Sequence, residues 1–199
     1  LGEAKVALAQ VLAEATLSRN RHRTASAFGG LGMLALRVGD LATAADYFER
    51  AAALYDSLGL GEGAMISREN RAEVMAASGD LDGARRAFAG ALEEAERSDF
   101  FEDMVIAHQQ LARVAMRQSD WAETERQLTA ADRKARGRGL DELANTLIYD
   151  RGVLALGRGN LAAAEGLFRG FLARIAPQGE FHSFGARILH GTVRILDEH

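Results

Sequence analysis

The chain has no cysteine and only one proline among its 199 residues. Without thiols it cannot form a disulfide framework, use a thiol nucleophile or bind metal through thiolates. That composition fits a reducing compartment and a cytoplasmic location. With so little proline, nothing interrupts helix, and the bias toward Ala, Leu, Glu and Arg favours it almost everywhere. The β-branched runs that strands prefer are missing. No apolar run approaches the ~20 residues that cross a bilayer, and no basic stretch followed by an apolar one opens the sequence as a leader would. The net charge of -4 is mild and spread along the chain, so no strong field points to a membrane surface or to nucleic acid.

A four-times repeated signal is present instead, spaced 40 residues apart. It reads Gly39-Asp40-Leu41, Gly79-Asp80-Leu81, Ser119-Asp120-Trp121 and Gly159-Asn160-Leu161. Ala44, Ala84, Thr124 and Ala164 follow in step, and then Phe48, Phe88, Leu128 and Phe168. In the third copy Val105, His108, Leu111, Ala112 and Ala115 mark one stripe of a helix. Ser119-Asp120 ends that helix and a second begins at Trp121. The Asp or Asn of each signal is suited to cap the second helix, and the Gly before it tolerates a left-handed turn. Second helices carry their own stripe, as in Leu41, Ala44, Ala45, Phe48, Ala51, Ala52 and Tyr55. They end in phase near Gly59, Ser98-Asp99, Gly137-Arg138-Gly139 and Pro177-Gln178-Gly179, with left-handed caps expected at Gly59, Gly139 and Gly179.

Each unit is therefore helix, tight turn, helix, short loop. No unit can bury its stripe alone, so stacking is required. The boundaries read as a half repeat over 1–20, full repeats over 21–60, 61–100, 101–140 and 141–180, and a half repeat over 181–199. This makes a single repeat domain of ten helices. Leu1 falls in the phase of Leu41 and His199 in the phase of the repeat glycines, which reads as a piece of a longer protein.

These units resemble tetratricopeptide repeats. Gly32, Ala72, Ala112 and Gly152 occupy the small-residue position of the first helix, and the Ala-x3-Phe pairs occupy that of the second. The period departs from the common one of about 34 residues, and long units of this kind resemble those of bacterial regulators and sensors. The resemblance implies an all-α, right-handed superhelical solenoid of antiparallel helix pairs, binding a protein or peptide on a concave face lined by first helices. Carried over position by position, that face comprises Met33, Glu69, Asn70, Glu73, Gln109, Gln110, Arg113, Met116, Tyr149, Asp150 and Val153. Leu36 joins it at one end, and Leu189, His190 and Val193 at the other. Asn and Gln amides pair with both edges of an extended peptide. The Lys-Asn-Arg clamp of the chaperone-tail binders has no counterpart at Gly29 and Met33.

Other features read as structural. The glycine clusters Gly29-Gly30-Leu31-Gly32 and Gly59-Leu60-Gly61-Glu62-Gly63 follow no strand and lack the Lys-Ser/Thr ending of a phosphate loop. The run Arg133-Lys134-Ala135-Arg136-Gly137-Arg138 sits at a helix C-terminus, where cations offset the dipole, and has no interleaved aromatics. The five histidines show no metal-ligand spacing and no nucleophile triad is legible, so neither catalysis nor a cofactor is expected. Residues 181–197 form a helix with two adjacent apolar faces. Phe181, Phe184, Ile188 and Ile195 make one; Ala186, Leu189, Val193 and Leu196 make the other, expected to mediate a homodimer. The sequence thus points to a non-enzymatic protein- or peptide-binding scaffold, with the regulatory half of a bacterial transcriptional or signalling protein as the alternative.

Overall fold

The computed structural model describes residues 2–136 and 138–175, although the side chains at 3, 4, 5, 8 and 175 are not among the described ones. Nine helices occur among the described residues. They are α1 (Gly2–Leu17), α2 (Arg21–Arg37), α3 (Leu41–Ser57), α4 (Gly61–Ser78), α5 (Leu81–Ser98), α6 (Phe101–Arg117), α7 (Trp121–Arg136), α8 (Asp141–Gly157) and α9 (Leu161–Ile175). The fold is an all-α stack of helix pairs, of the helical-solenoid class. The helix expected over 181–197, its groove residues and its dimer face lie outside the described residues, as does the cap expected at Gly179.

The turns explain why each helix starts where it does. Asp40, Asp80, Asp120 and Asn160 each place a side-chain oxygen on the backbone N–H three residues ahead, at 3.2, 2.8, 2.9 and 3.1 Å. Every one of these satisfies a donor that the first helical turn leaves unpaired. Asn20 caps α2 in the same way, on Arg23 N–H at 3.1 Å. The residue before each cap is left-handed: φ is 81° at Gly39, 94° at Gly79, 75° at Gly159, and 56° at Ser119, where no glycine stands. Second helices α3 and α7 close similarly through Gly59 and Gly139, and α5 through Asp99 at φ 57°.

The chain divides within α5 into two compact units, Leu1–Ala91 and Leu92–His199. In the first, α1 packs on α2, α2 on α3, α3 on α4, and α2 also touches α4. Ala35, Ala44, Phe48 and Val74 form its core, flanked by Leu36, Leu41 and Ala45. Phe48 is wholly buried, which stabilises by roughly 1.5–3 kcal/mol. It fits because Gly32 faces it: a Cβ there would sit 2.7 Å from the Phe48 ring. In the second unit, α6 packs on α7, α7 on α8 and α8 on α9, while α6 also touches α8. Val105, Ala112, Leu128, Ala131, Ala135, Leu147 and Leu154 form one core; Ala164 and Phe168 form another under Tyr149 and Val153.

Candidate functional site

First helices of successive pairs meet side by side in each unit, and in the second unit this meeting is polar. Asp150 of α8 is buried at 2 % exposure, and Gln109 of α6 at 6 %. The Gln109 amide donates to Asp150 Oδ2 at 2.5 Å and to Thr146 Oγ1 at 3.0 Å. The Thr146 hydroxyl in turn donates to the Leu143 carbonyl at 2.8 Å. Arg113 completes the cluster, its Nε on Asp150 Oδ1 at 3.1 Å and its Nη2 on Oδ2 at 3.3 Å. A carboxylate taken this far from water needs such donors, and the forked guanidinium suits it. Its partner stays about one-third exposed, so the arginine keeps contact with solvent while the aspartate does not.

This cluster changes the reading of two expected contacts. Gln109 and Asp150 link α6 to α8, both of them buried, with the Gln109 amide donating to Asp150. Tyr149 and Val153 turn toward α9: the Tyr149 ring lies 5.6 Å from Phe168 and 6.0 Å from Phe171 between centroids. Met116 packs against the second unit's core. Gln110 is half-buried. Thr146, absent from the sequence-based set, is the residue that relays Gln109 to the backbone. Its only signal in the sequence is its position four residues before Asp150, one helical turn away on the same face.

The first unit is built differently at the same register. Forty-residue phasing equates Gln109 with Gly29, Gln110 with Gly30, Arg113 with Met33, Thr146 with Ile66 and Asp150 with Asn70. Here the amide, guanidinium and carboxylate of the second-unit cluster are replaced by Gly29, Met33 and Asn70. Met33 is 41 % exposed and Ile66 47 % exposed. A Cβ at Gly29 would meet nothing within 4 Å, so the backbone of α2 lies open beside them. Glu62, Glu69 and Glu73 recur along the same stripe of α4, the first exposed and the others half-buried. Half-buried Asn70 lies one turn on from Ile66, beside that stripe.

Elsewhere, structural readings account for the remaining candidates. His108 is half-buried with Nδ1 2.7 Å from Gln127 Oε1, and Gln127 donates in turn to Glu123 at 2.7 Å. That hydrogen bond, with Arg126 beside it, holds the Glu123 carboxyl below the ordinary glutamate range despite its partial burial. The basic run acquires an aromatic from another helix: the Arg138 guanidinium lies 3.5 Å above the Phe101 ring and Lys134 Nζ 5.8 Å. Among the described residues no group of three or more acidic or histidine side chains could hold a metal ion, and no helix is long and apolar enough to cross a membrane.

This arrangement defines a class, the tetratricopeptide-like helical repeat fold. Solved structures share it across most of the chain. BtubC (BKLC) from P. vanneervenii superposes with a TM-score of 0.74 at 14% identity, over 98% of this chain and 83% of that one. The apo form of RapI gives 0.65 at 13% identity, over 87% and 69%. A Podosopora anserina kinesin light chain with nearly identical TPR-like repeats gives 0.58 at 15% identity, over 90% and 84%. At these identities the likeness is one of fold. No protein-family model matches the sequence, and no curated protein matches it.

Proposed function

We propose that this protein is a non-enzymatic interaction scaffold that holds a protein or peptide segment on the first-helix face of its N-terminal unit. The observation that carries this reading is the contrast at one register. Positions filled by Gln109, Arg113, Thr146 and Asp150 in the second unit are filled by Gly29, Met33, Ile66 and Asn70 in the first. The second-unit cluster spends donors of Gln109 and Arg113 on a buried carboxylate, whereas two half-exposed aliphatic side chains beside an open backbone gain by being covered. Exposed Glu62 in the first turn of α4 favours a segment that sets a cation beside an apolar side chain. A helix laid in such a groove or an extended strand of peptide would both satisfy that pattern.

The test is placement-specific crosslinking. A photo-activated benzophenone amino acid replaces Met33 in one variant and the exposed Ala53 of α3 in another. Each is irradiated in extract from the source organism, with and without excess unmodified chain. Adducts formed through position 33, competed by the excess and missing at position 53, support the reading. Identical adducts at both positions contradict it.

A further inference from the structure

Away from the first-helix face, α7, α8 and α9 line a half-open cleft of about 480 Å³ within the C-terminal unit. Its floor is apolar, made of Ala144, Leu147, Ile148 and Leu167, and its rim carries Arg136, Arg151, Arg174, Asp132, Asp141 and Asn145. Three cations face two carboxylates, so the rim is left with one excess positive charge. The acids are not evenly shared. Asp132 takes both Arg136, at 2.9 Å, and Arg151, at 3.7 Å, one on each oxygen. Asp141 stands exposed in the first turn of α8, where the helix dipole already stabilises it. Among the described residues Arg174 meets no acidic side chain; its guanidinium donates to the Gly170 carbonyl, at 3.1 Å. Half-buried Asn145 spends neither its amide donors nor its acceptor on any hydrogen bond among the described residues.

A guanidinium presents five donors in a fixed fork matched to a carboxylate, and an amide beside it adds a further donor. Above an aliphatic floor, these groups recognise a carboxylate attached to something apolar. We propose that this cleft is a second peptide site, which takes a Glu or Asp side chain through Arg174 and Asn145 and seats a neighbouring aliphatic side chain on Leu147, Ile148 and Leu167. It stands apart in sequence and in unit from the face around Met33. The two sites therefore differ in the charge they select: a cation beside Glu62, an anion here.

The experiment uses the whole chain, isotopically labelled so that the Asn145 side-chain NH₂ and the arginine Nε–H resonances are followed by NMR. The probes are the blocked peptide acetyl-Leu-Glu-Leu-amide, the same peptide with Gln for Glu, and inorganic phosphate at matched ionic strength. The expected result is a saturable shift of the Asn145 and Arg174 signals with the Glu peptide, at least tenfold weaker with the Gln peptide. Arg174→Gln and Asn145→Ala should each weaken it at least fivefold while the backbone spectrum stays dispersed. Equal response to the Glu and Gln peptides overturns the proposal, as does the absence of saturation. Tighter binding of phosphate than of the Glu peptide overturns the carboxylate assignment. Resonances of Met33 and Ile66 should stay still throughout, so this result and that of the crosslinking test are read separately.

Discussion

Gly152 and Phe168 fit together because neither leaves room for more: a Cβ built on Gly152 would lie 2.5 Å from the Phe168 ring, which is itself buried. Gly32 and Phe48 repeat the relationship 120 residues earlier. Between them the third copy solves the same problem the other way, with Ala112 opposite a smaller Leu128, both fully buried. A glycine in a helix interior costs roughly 0.5–1 kcal/mol relative to alanine, and the ring it admits offsets that cost.

Gly152→Ala should therefore destabilise despite its better helix propensity, by about 1–3 kcal/mol from overpacking. Combining it with Phe168→Leu recreates the Ala112–Leu128 pair and should recover part of the loss. Thermal or urea unfolding of the two single variants and the double variant would show a favourable coupling of about 0.5 kcal/mol or more. Strict additivity would mean the two side chains do not share the space.

The Asp150 cluster predicts an order of damage. Asp150→Ala leaves the buried Gln109 amide short of an acceptor and Arg113 without its anion, and should cost about 2–4 kcal/mol. Arg113→Ala should cost more, since it strands the buried Asp150 carboxylate without its cation, whereas the arginine left by Asp150→Ala is one-third exposed and can be hydrated. Denaturant melts of the two variants check the ranking, which an equal or reversed effect would break.

Much of this was legible beforehand, for a physical reason. Caps and left-handed turns are local chemistry, so Asp40, Asp80, Asp120 and Asn160 announce their roles at fixed spacing. Helix phasing likewise marks Phe48, Phe88 and Phe168 as interior. What sequence hid is who meets whom across pairs. Gln109 and Asp150 are separated by a whole repeat, and only packing of α6 on α8 shows that they satisfy each other. The same holds for Phe101, which reaches Arg138 from a different helix.

One turn departs from its siblings in a testable way. Ser119 adopts φ 56° where the equivalent positions are glycine. A side chain there costs about 1 kcal/mol or more in the left-handed region, partly offset by glycine's greater freedom in the unfolded chain. Ser119→Gly should raise stability by up to about 1 kcal/mol, whereas Gly79→Ala, at φ 94°, should lower it by at least as much. Calorimetric melting of both variants decides the point, and a loss in Ser119→Gly would contradict it.

Acid should remove one further contribution. The folded state depresses the Glu123 pKa through Gln127 and Arg126, so folding favours the ionised form. That stabilisation is complete above the unfolded glutamate value of about 4.3 and is lost as pH falls through the lower, folded value. Glu123→Gln should thus differ from the parent chain near neutrality and converge with it at strongly acidic pH. Urea midpoints measured at several pH values would reveal the closing gap; a gap that persists unchanged in acid would point to packing instead.

The central claim concerns the open face of the N-terminal unit, and one affinity ratio tests it most directly. Twelve-residue peptides selected from a random library on the whole chain would be titrated calorimetrically against the parent and against Met33→Glu combined with Ile66→Glu. Both residues are surface-exposed, so the fold should survive the change. The account predicts selected peptides carrying an aliphatic or aromatic side chain next to Lys or Arg, with affinity falling at least tenfold in the double variant. Peptides that bind parent and variant equally well would contradict it.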